Sequence, residues 1–268
     1  MPIFAPFGYY EQKAAGVAFD PDAQAFLTAT GITDPTISSA INTLVLDLKG
    51  YGIWSKMIAI YPYVGGTATT HKYNLKDPRD LDAAYRMTFA GTVTHSSNGI
   101  QGNGVNGVGY THINIGTDIT QNNAFASGYI RTTAASGTDW GGIGGGNGIQ
   151  LNARFTDNLA YSKLMHGGTH YTRSSTDASG FWQQSRTASA SYYLQQNTTR
   201  NTVNIASASQ TSLEYIAVMA FGTTETTATA FSNKQQAYNA FGQGLSTTEM
   251  DDHYTAVQDF QTTLGRNV

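Results

Sequence analysis

Cysteine is missing from the 268-residue chain. Disulfides, thiolate catalysis and cysteine-ligated zinc are therefore excluded. Charged residues make up only 12%, and the net charge of −3 offers no basic surface to nucleic acid. The chain lacks both an apolar run of roughly 18 residues and the basic and apolar regions of a signal peptide. We therefore expect a soluble protein that binds no nucleic acid, inserts into no membrane and uses no cofactor.

The residues that are present can build a core. Hydrophobic residues account for 40% of the chain and aromatic residues for 12%, and there are 29 glycines. Such a composition is not that of a disordered chain. A surface rich in hydroxyl and amide groups rather than charges is typical of extracellular or virion β-proteins. The length fits either one large all-β domain with appendages or two small domains.

Strand patterns recur from Trp54 to the end of the chain and alternate with turn residues rather than helices. This spacing predicts an antiparallel sandwich. Ile216 and Val218 point one way, and Tyr215 and Ala217 the other, so both faces of that strand are apolar and we expect it to be central. The other predicted strands start near Ile58, Tyr85, Phe125, Ile149, Leu159, Gly180, Ser191 and Ala237.

Asn-Gly pairs are concentrated in residues 98–109, where three occur within twelve residues. Asn and Gly readily adopt positive φ, so such pairs favour two-residue hairpin turns. The sequence therefore predicts a Gly/Asn-rich hairpin or tight turn in this segment.

Three helices are predicted around the strands. Asp20-Pro21 and Asp34-Pro35 are helix starts, which gives a helical connector over residues 20–53. Ser246 and Glu249 have capping-box spacing, so a closing helix is expected over 247–264. Its apolar face should be buried on the sandwich and contains Met250, Tyr254, Val257, Phe260 and Leu264. His253 is expected on the exposed side of that helix.

Catalytic patterns are weak. The four glutamates include no pair at alternate positions of one strand, the arrangement that jelly-roll glycosidases use, so no catalytic residue is assigned and a glycan hydrolase is disfavoured. The Gly102-x-Gly104-x-x-Gly107 match has no helix after it, which excludes a dinucleotide site. His166 with His170 and the acidic group at Asp77–Asp82 are interpreted as loop residues, so no metal site is assigned.

Two groups of aromatic residues are candidate functional residues. Residues 1–19 are predicted to be an extended aromatic arm, and Phe4, Phe7, Tyr9 and Tyr10 are candidates for assembly contacts, because an aromatic-rich tail is costly to leave in water. An arm packed on its own domain is the alternative. Trp140 and Trp182 are candidates for stacking on a glycan, although a tryptophan in a strand is more often a core residue.

Several segments together resemble concanavalin A-like (laminin G-like) jelly-roll domains of tailed-phage virion structural proteins. The resemblance covers about residues 22–268. It is carried by segments 25–33, 54–66, 74–89, 103–111, 185–194, 241–249 and 254–266, which include Trp54-Ser-Lys-Met-Ile-Ala-Ile-Tyr-Pro and Phe241-Gly-Gln-Gly-Leu-Ser-Thr-Thr-Glu. It implies a two-sheet antiparallel jelly-roll sandwich over residues 54–268.

The resemblance also implies a function. We expect a non-enzymatic virion protein, a capsid decoration or a tail or fibre component, made in the host bacterial cytoplasm and released by lysis. Its partners would be other virion proteins and further copies of itself, reached through the arm. The alternative is a host-receptor or glycan-binding module of a tail fibre. Fold alone does not decide between these functions.

Overall fold

The computed structural model describes residues 19–144, 147–209 and 214–268. The predicted assembly residues Phe4, Phe7, Tyr9 and Tyr10 lie outside the described residues. Phe19, where the description begins, is 39% exposed. The attachment function of the arm therefore stays a prediction.

The described residues form a mostly β structure with four helices, which confirms the predicted fold class. The helices are α1 (Pro21–Thr30), α2 (Pro35–Gly50), α3 (Ala68–His71) and α4 (Thr247–Thr263). The strands are β1 (Met57–Tyr61), β2 (Thr88–Ala90), β3 (Val93–Ser96), β4 (Gly99–Gly102), β5 (Val108–Asn114), β6 (Ala124–Ile130), β7 (Trp140–Gly144), β8 (Asn147–Asn152), β9 (Leu159–Leu164), β10 (Tyr171–Ser174), β11 (Gly180–Arg186), β12 (Tyr192–Gln196), β13 (Thr199–Val203), β14 (Tyr215–Val218), β15 (Phe221–Gly222), β16 (Ala228–Thr229) and β17 (Gln235–Gly242).

Two sheets make the sandwich. The helix-facing sheet has the order β13-β12-β11-β6-β17-β4-β3, and β1 also pairs with β17. The outer sheet has the order β10-β9-β8-β7-β14-β5-β2, with β15 and β16 attached beside β7. Within the described residues the pairing is antiparallel apart from the short contact between β15 and β7. As predicted, β14 is a central strand, between β7 and β5.

Two apolar layers hold these parts together. The first lies between the sheets and includes Trp140, Leu151, Trp182, Leu194 and Ile216. The second lies between the helix-facing sheet and the helices. It contains Leu44 and Leu48 of α2, Phe181 of β11, Tyr238 of β17 and Phe260 of α4. The helix-facing sheet is therefore covered on both faces.

The closing helix matches its predicted chemistry. The Ser246 hydroxyl accepts from Glu249 N at 3.3 Å, while the Glu249 carboxylate accepts from Ser246 N at 2.8 Å, which completes the capping box. Glu249 also pairs with Lys56 Nζ at 2.5 Å. Of the predicted apolar face, Met250, Val257 and Phe260 are buried, and Tyr254 and Leu264 pack on the same cluster while half-buried.

The first Asn-Gly pair, Asn98-Gly99, lies at the turn of the β3–β4 hairpin, whereas residues 103–107 form a tight turn that does not pair β4 with β5. β4 pairs with β3 and β17 in the helix-facing sheet, whereas β5 pairs with β2 and β14 in the outer sheet. Asn103 Oδ1 accepts from the backbone N–H groups of Val105, Asn106 and Gly107, and this turn carries the chain from one sheet to the other. Within the described residues, no helix is long and apolar enough to span a membrane.

Candidate functional site

A bulge in β5 begins the candidate site. Tyr110 pairs with Ala217 and Asn114 with Tyr215, so three residues of β5 face a single residue of β14. The Thr111 hydroxyl donates to Ile216 O at 2.7 Å and accepts from Ile113 N at 3.2 Å, and both bonds hold the extra residues in place. His112, at the centre, has φ +59°. Bulges of this kind re-aim side chains and are frequent beside functional sites.

An open surface cleft of about 430 Å³ lies over this bulge. We call it the tyrosine cleft, because Tyr85 and Tyr215 line it. Tyr85 follows the turn Asp82–Ala84 and has φ +56°, whereas Tyr215 begins β14. Apart from Ala83, its other lining residues supply carboxylate, amide, hydroxyl and imidazole groups. They are Asp82, His112, Asn114, Thr117, Asp118 and Glu225.

His112 contacts three separate segments of the chain, two of which line the cleft. Its Nδ1 lies 3.1 Å from Glu225 Oε1, and its Nε2 lies 2.9 Å from Thr88 Oγ1 and 3.5 Å from Asp82 Oδ1. The imidazole is only 9% exposed. Glu225 belongs to the loop between β15 and β16, so His112 fixes that loop against the turn that carries Asp82.

Asp118 organises the opposite wall. Its Oδ2 accepts from Asn114 N at 2.8 Å, and its Oδ1 accepts from the Thr117 hydroxyl at 3.0 Å. Burial raises the pKa of Tyr85, and the charge of Asp118 and its hydrogen bond to the phenol raise it further. The phenol of Tyr85 is therefore neutral at physiological pH.

The cleft has the chemistry of a carbohydrate site. Aromatic rings stack on the apolar faces of sugars, while carboxylate and amide groups bind hydroxyls and fix orientation. The backbone at Tyr85 and His112 adopts the left-handed region, which costs energy for residues other than glycine. Such conformations persist where the surroundings over-determine them, as the contacts of His112 and Asp118 do here.

The two predicted stacking residues lie elsewhere, and the structure corrects that expectation. Trp140 and Trp182 are both 0% exposed. Trp140 Nε1 donates to Gln184 Oε1 at 3.2 Å, and Trp182 Nε1 donates to Ala178 O at 2.8 Å. Because both rings fill the space between the sheets, neither presents a face to a ligand at the surface.

The acidic group at Asp77–Asp82 is an ion-paired turn. Asp77 pairs with Arg79, Asp80 with Lys72 and Arg86, and Asp82 with Arg86. His170 Nε2 lies 2.6 Å from Gln150 Oε1, and His166 Nδ1 lies 2.9 Å from Gly167 O, so these histidines contact different partners. Among the described residues there is no group of three ligands that could hold a metal ion.

Sequence reasoning missed this site because its side chains come from distant segments. The carboxylate pattern of jelly-roll glycosidases lies on a single strand. Asp82, Asp118 and Glu225 instead come from three separate segments of the chain, so no sequence pattern connects them. Tyr215 was placed correctly on a two-sided strand, but nothing in its pattern showed that β5 bulges beside it. Polar residues within an apolar strand, His112 and Asn114, were the available signal.

Comparison with solved structures places the fold among β-sandwich domains. Domain 4 of AbnA, an extracellular GH43 arabinanase from Geobacillus stearothermophilus, in complex with arabinotriose, matches with a TM-score of 0.50 and 12% identity. The match covers 74% of this chain and 98% of that domain. The binding domain of botulinum neurotoxin serotype D matches with a TM-score of 0.52 and 11% identity, over 76% of this chain and 52% of that one.

A third likeness is to Trypanosoma rangeli sialidase in complex with sialic acid, with a TM-score of 0.53 and 8% identity. This match covers 82% of the present chain but only 39% of the sialidase. At such low identity these likenesses establish the fold and nothing finer. No family model and no curated protein sequence matches the chain.

Proposed function

We propose that this protein is a non-enzymatic glycan-binding module and that the tyrosine cleft is its binding site. The observation that carries the proposal is the convergence, in one open cleft of about 430 Å³, of two tyrosine rings with three carboxylates and an amide. The fold supports it, since one neighbour, a domain that this chain matches over 98% of its length, was solved with arabinotriose. Of the predicted functions, this is the glycan-binding alternative.

A virion is the proposed setting. The sequence resemblance to tailed-phage structural proteins supports display on a particle, with residues 1–19 attaching the module to other virion proteins or to further copies of itself. A chain lacking residues 1–19 should still fold and bind glycan but should no longer enter particles or oligomerise. Unchanged incorporation and unchanged oligomeric state would remove the arm from this proposal.

Binding to a glycan array tests the proposed site. We expect the full chain to bind a set of immobilised oligosaccharides with micromolar affinity, and Tyr215→Ala to weaken binding at least about tenfold, as expected for loss of an aromatic platform. Tyr161→Ala is the matched control, because Tyr161 is a half-buried tyrosine of β9 that does not line the cleft. Equal losses in both variants would contradict the assignment of the cleft.

Turnover separates binding from hydrolysis. The cleft does hold three carboxylates, and a pair of carboxylates is what glycosidases need. We expect every oligosaccharide that binds to be recovered intact after prolonged incubation. Release of shorter sugars, abolished by Asp118→Asn or Glu225→Gln, would replace the binding function with a hydrolytic one.

A further inference from the structure

The tyrosine cleft carries charge of one sign. Its lining includes the carboxylates of Asp82, Asp118 and Glu225 but no lysine or arginine. Asp82 is the member with a cationic partner, because Arg86 binds it from outside the cleft. Among the ion pairs of the described residues, Asp118 pairs with no lysine or arginine, and Glu225 pairs with His112 alone.

Within the described part of the chain, the contacts of these two carboxylates include no lysine or arginine. Asp118 accepts from Asn114 N and from the Thr117 hydroxyl, which are both neutral donors. Glu225 is 48% exposed and faces His112 Nδ1 at 3.1 Å. A ligand in the cleft would therefore lie close to two carboxylates that have no lysine or arginine partner among the described residues, as well as to the two tyrosines.

From the carboxylates in its lining we infer that the tyrosine cleft selects glycans by charge. It binds amine-bearing sugars most tightly, neutral sugars less tightly and acidic sugars most weakly. The inference rests on the proposed function, which assigns the cleft as a sugar site through its shape and its two rings. The charges decide only which sugars enter. Two like charges a few ångströms apart repel in any environment less polar than bulk water, while an ammonium group is attracted at the same distance.

Free hydroxyl-binding capacity remains after the internal contacts are made. A carboxylate has about four lone-pair sites, and Glu225 uses one oxygen toward His112. The other Glu225 oxygen can accept from a sugar hydroxyl or from an ammonium group. A sialic acid, uronic acid or sulfated sugar offers no donor at its anionic group and has no lysine or arginine in the cleft lining to meet it.

An array that carries neutral, amine-bearing and acidic versions of the same oligosaccharides tests the inference on the full-length protein. At pH 7.5 and 50 mM salt we expect glucosamine oligomers to exceed their N-acetylated counterparts. Sialylated or sulfated sugars should bind at least about tenfold more weakly than their neutral parents. In 1 M salt, where the Debye length is about 3 Å, both differences should shrink.

Charge-neutralising variants identify the groups responsible. Asp118→Asn combined with Glu225→Gln keeps the shape of both side chains and should bring acidic and neutral sugars to within about twofold of each other. Asp251→Asn is the control, because it removes one charge on α4, which packs on the other sheet. Thermal melts of all variants establish that they fold.

The outcomes separate a failure of the charge inference from a failure of the proposed glycan-binding function. Acidic sugars bound as tightly as their neutral parents by the wild-type chain would overturn the inference and leave the glycan-binding function standing. The same ranking in the double variant as in the wild type would also overturn it. An array with no bound sugar of any kind would overturn the proposed function itself.

Discussion

His253 lies on α4 with its ring between Phe125, Phe181 and Tyr238, and none of its surface is exposed. The helical pattern predicted an exposed position, which is wrong. Its Nε2 lies 3.0 Å from the Tyr238 hydroxyl, whereas Nδ1 has no partner. Burial lowers the pKa of His253 to about 3, so the native state holds this ring neutral far below its ordinary value of 6.5.

Acid should therefore destabilise the fold through His253. Below about pH 6.5 the unfolded chain binds a proton here that the native state does not, so the free energy of unfolding falls with pH until about pH 3. Glutamine is neutral at every pH. Between pH 6 and pH 4, we therefore expect the free energy of unfolding of His253→Gln to fall less steeply than that of the wild type, by up to about 1.4 kcal/mol per pH unit.

Urea unfolding at several pH values measures this difference. Stability at pH 8 gives the cost of the substitution itself and should be subtracted. Parallel curves for the wild type and His253→Gln would show that the native state accepts the proton and that the ring is not held neutral. His71, whose pKa burial also lowers to about 3, adds to the acid sensitivity of both proteins equally.

At the scale of elements, the central strand β6 shows how close packing uses glycine. A Cβ at Gly128 would lie 2.6 Å from Cζ3 of Trp140 and 2.5 Å from Nδ2 of Asn239. Trp140 belongs to the outer sheet and Asn239 to β17 beside β6, so the missing side chain lets a tryptophan fill the space between the sheets. The burial of Trp140 that removes it from any glycan thus follows from a glycine on the facing strand.

Replacing this glycine should be costly. Gly128→Ala is expected to lower the free energy of unfolding by about 1–3 kcal/mol, because overpacking forces the indole or the amide to move. Gly50→Ala is the matched control, since a Cβ there meets no atom within 4 Å, and its effect should be close to zero. Chemical denaturation of both variants checks the pair, and equal midpoints would contradict this account of the core.

The elements with strong local signals were predictable from the sequence. Asp20, Asp34 and Ser246 begin their helices as expected, because a cap acts within one helical turn. β11 was predicted from Gly180 and begins there. The passage from β4 to β5 between the two sheets was not predictable, because Asn-Gly pairs specify a turn but not which sheet the next strand joins.

At the scale of the whole molecule, one buried ion pair connects the two sheets. Lys234 Nζ, just before β17, lies 3.2 Å from Asp139 Oδ1, just before β7, and both side chains are 0% exposed. The ammonium also donates to Ser136 O at 3.0 Å, and the carboxylate accepts from Ala153 N at 2.7 Å and from the Ser232 hydroxyl at 3.0 Å. Burial raises the pKa of Asp139, and the neighbouring Lys234 opposes that rise.

Removing one partner should destabilise the sandwich strongly. Lys234→Met leaves the Asp139 charge without its ion partner in the interior, and we expect a loss of about 3–5 kcal/mol. Lys49→Met breaks the partly exposed pairs with Asp20 and Asp22 and should cost less than about 1 kcal/mol. If thermal unfolding shows that Lys234→Met and Lys49→Met lose similar stability, the buried pair between the sheets stabilises the fold no more than an exposed one.

The candidate site depends on the whole fold, which is why the sequence did not reveal it. Asp82, His112, Asp118, Tyr215 and Glu225 are spread over more than half the chain. They meet only because β2, β5 and β14 are neighbours and β5 bulges between them. Whether a segment forms a strand depends on its local sequence. The order of the strands and the position of the bulge depend on long-range pairing, and these two features create the cleft.

The most direct test of the central claim is to locate the bound sugar by NMR. Tyrosine rings labelled with ¹³C can be followed while the best-bound oligosaccharide is added to the full-length protein, with assignments from Tyr85→Phe and Tyr215→Phe. We predict that the ring signals of Tyr85 and Tyr215 shift in a saturable way and that those of Tyr161 and the buried Tyr238 stay unchanged. Saturable shifts confined to tyrosines outside the cleft would contradict the assignment.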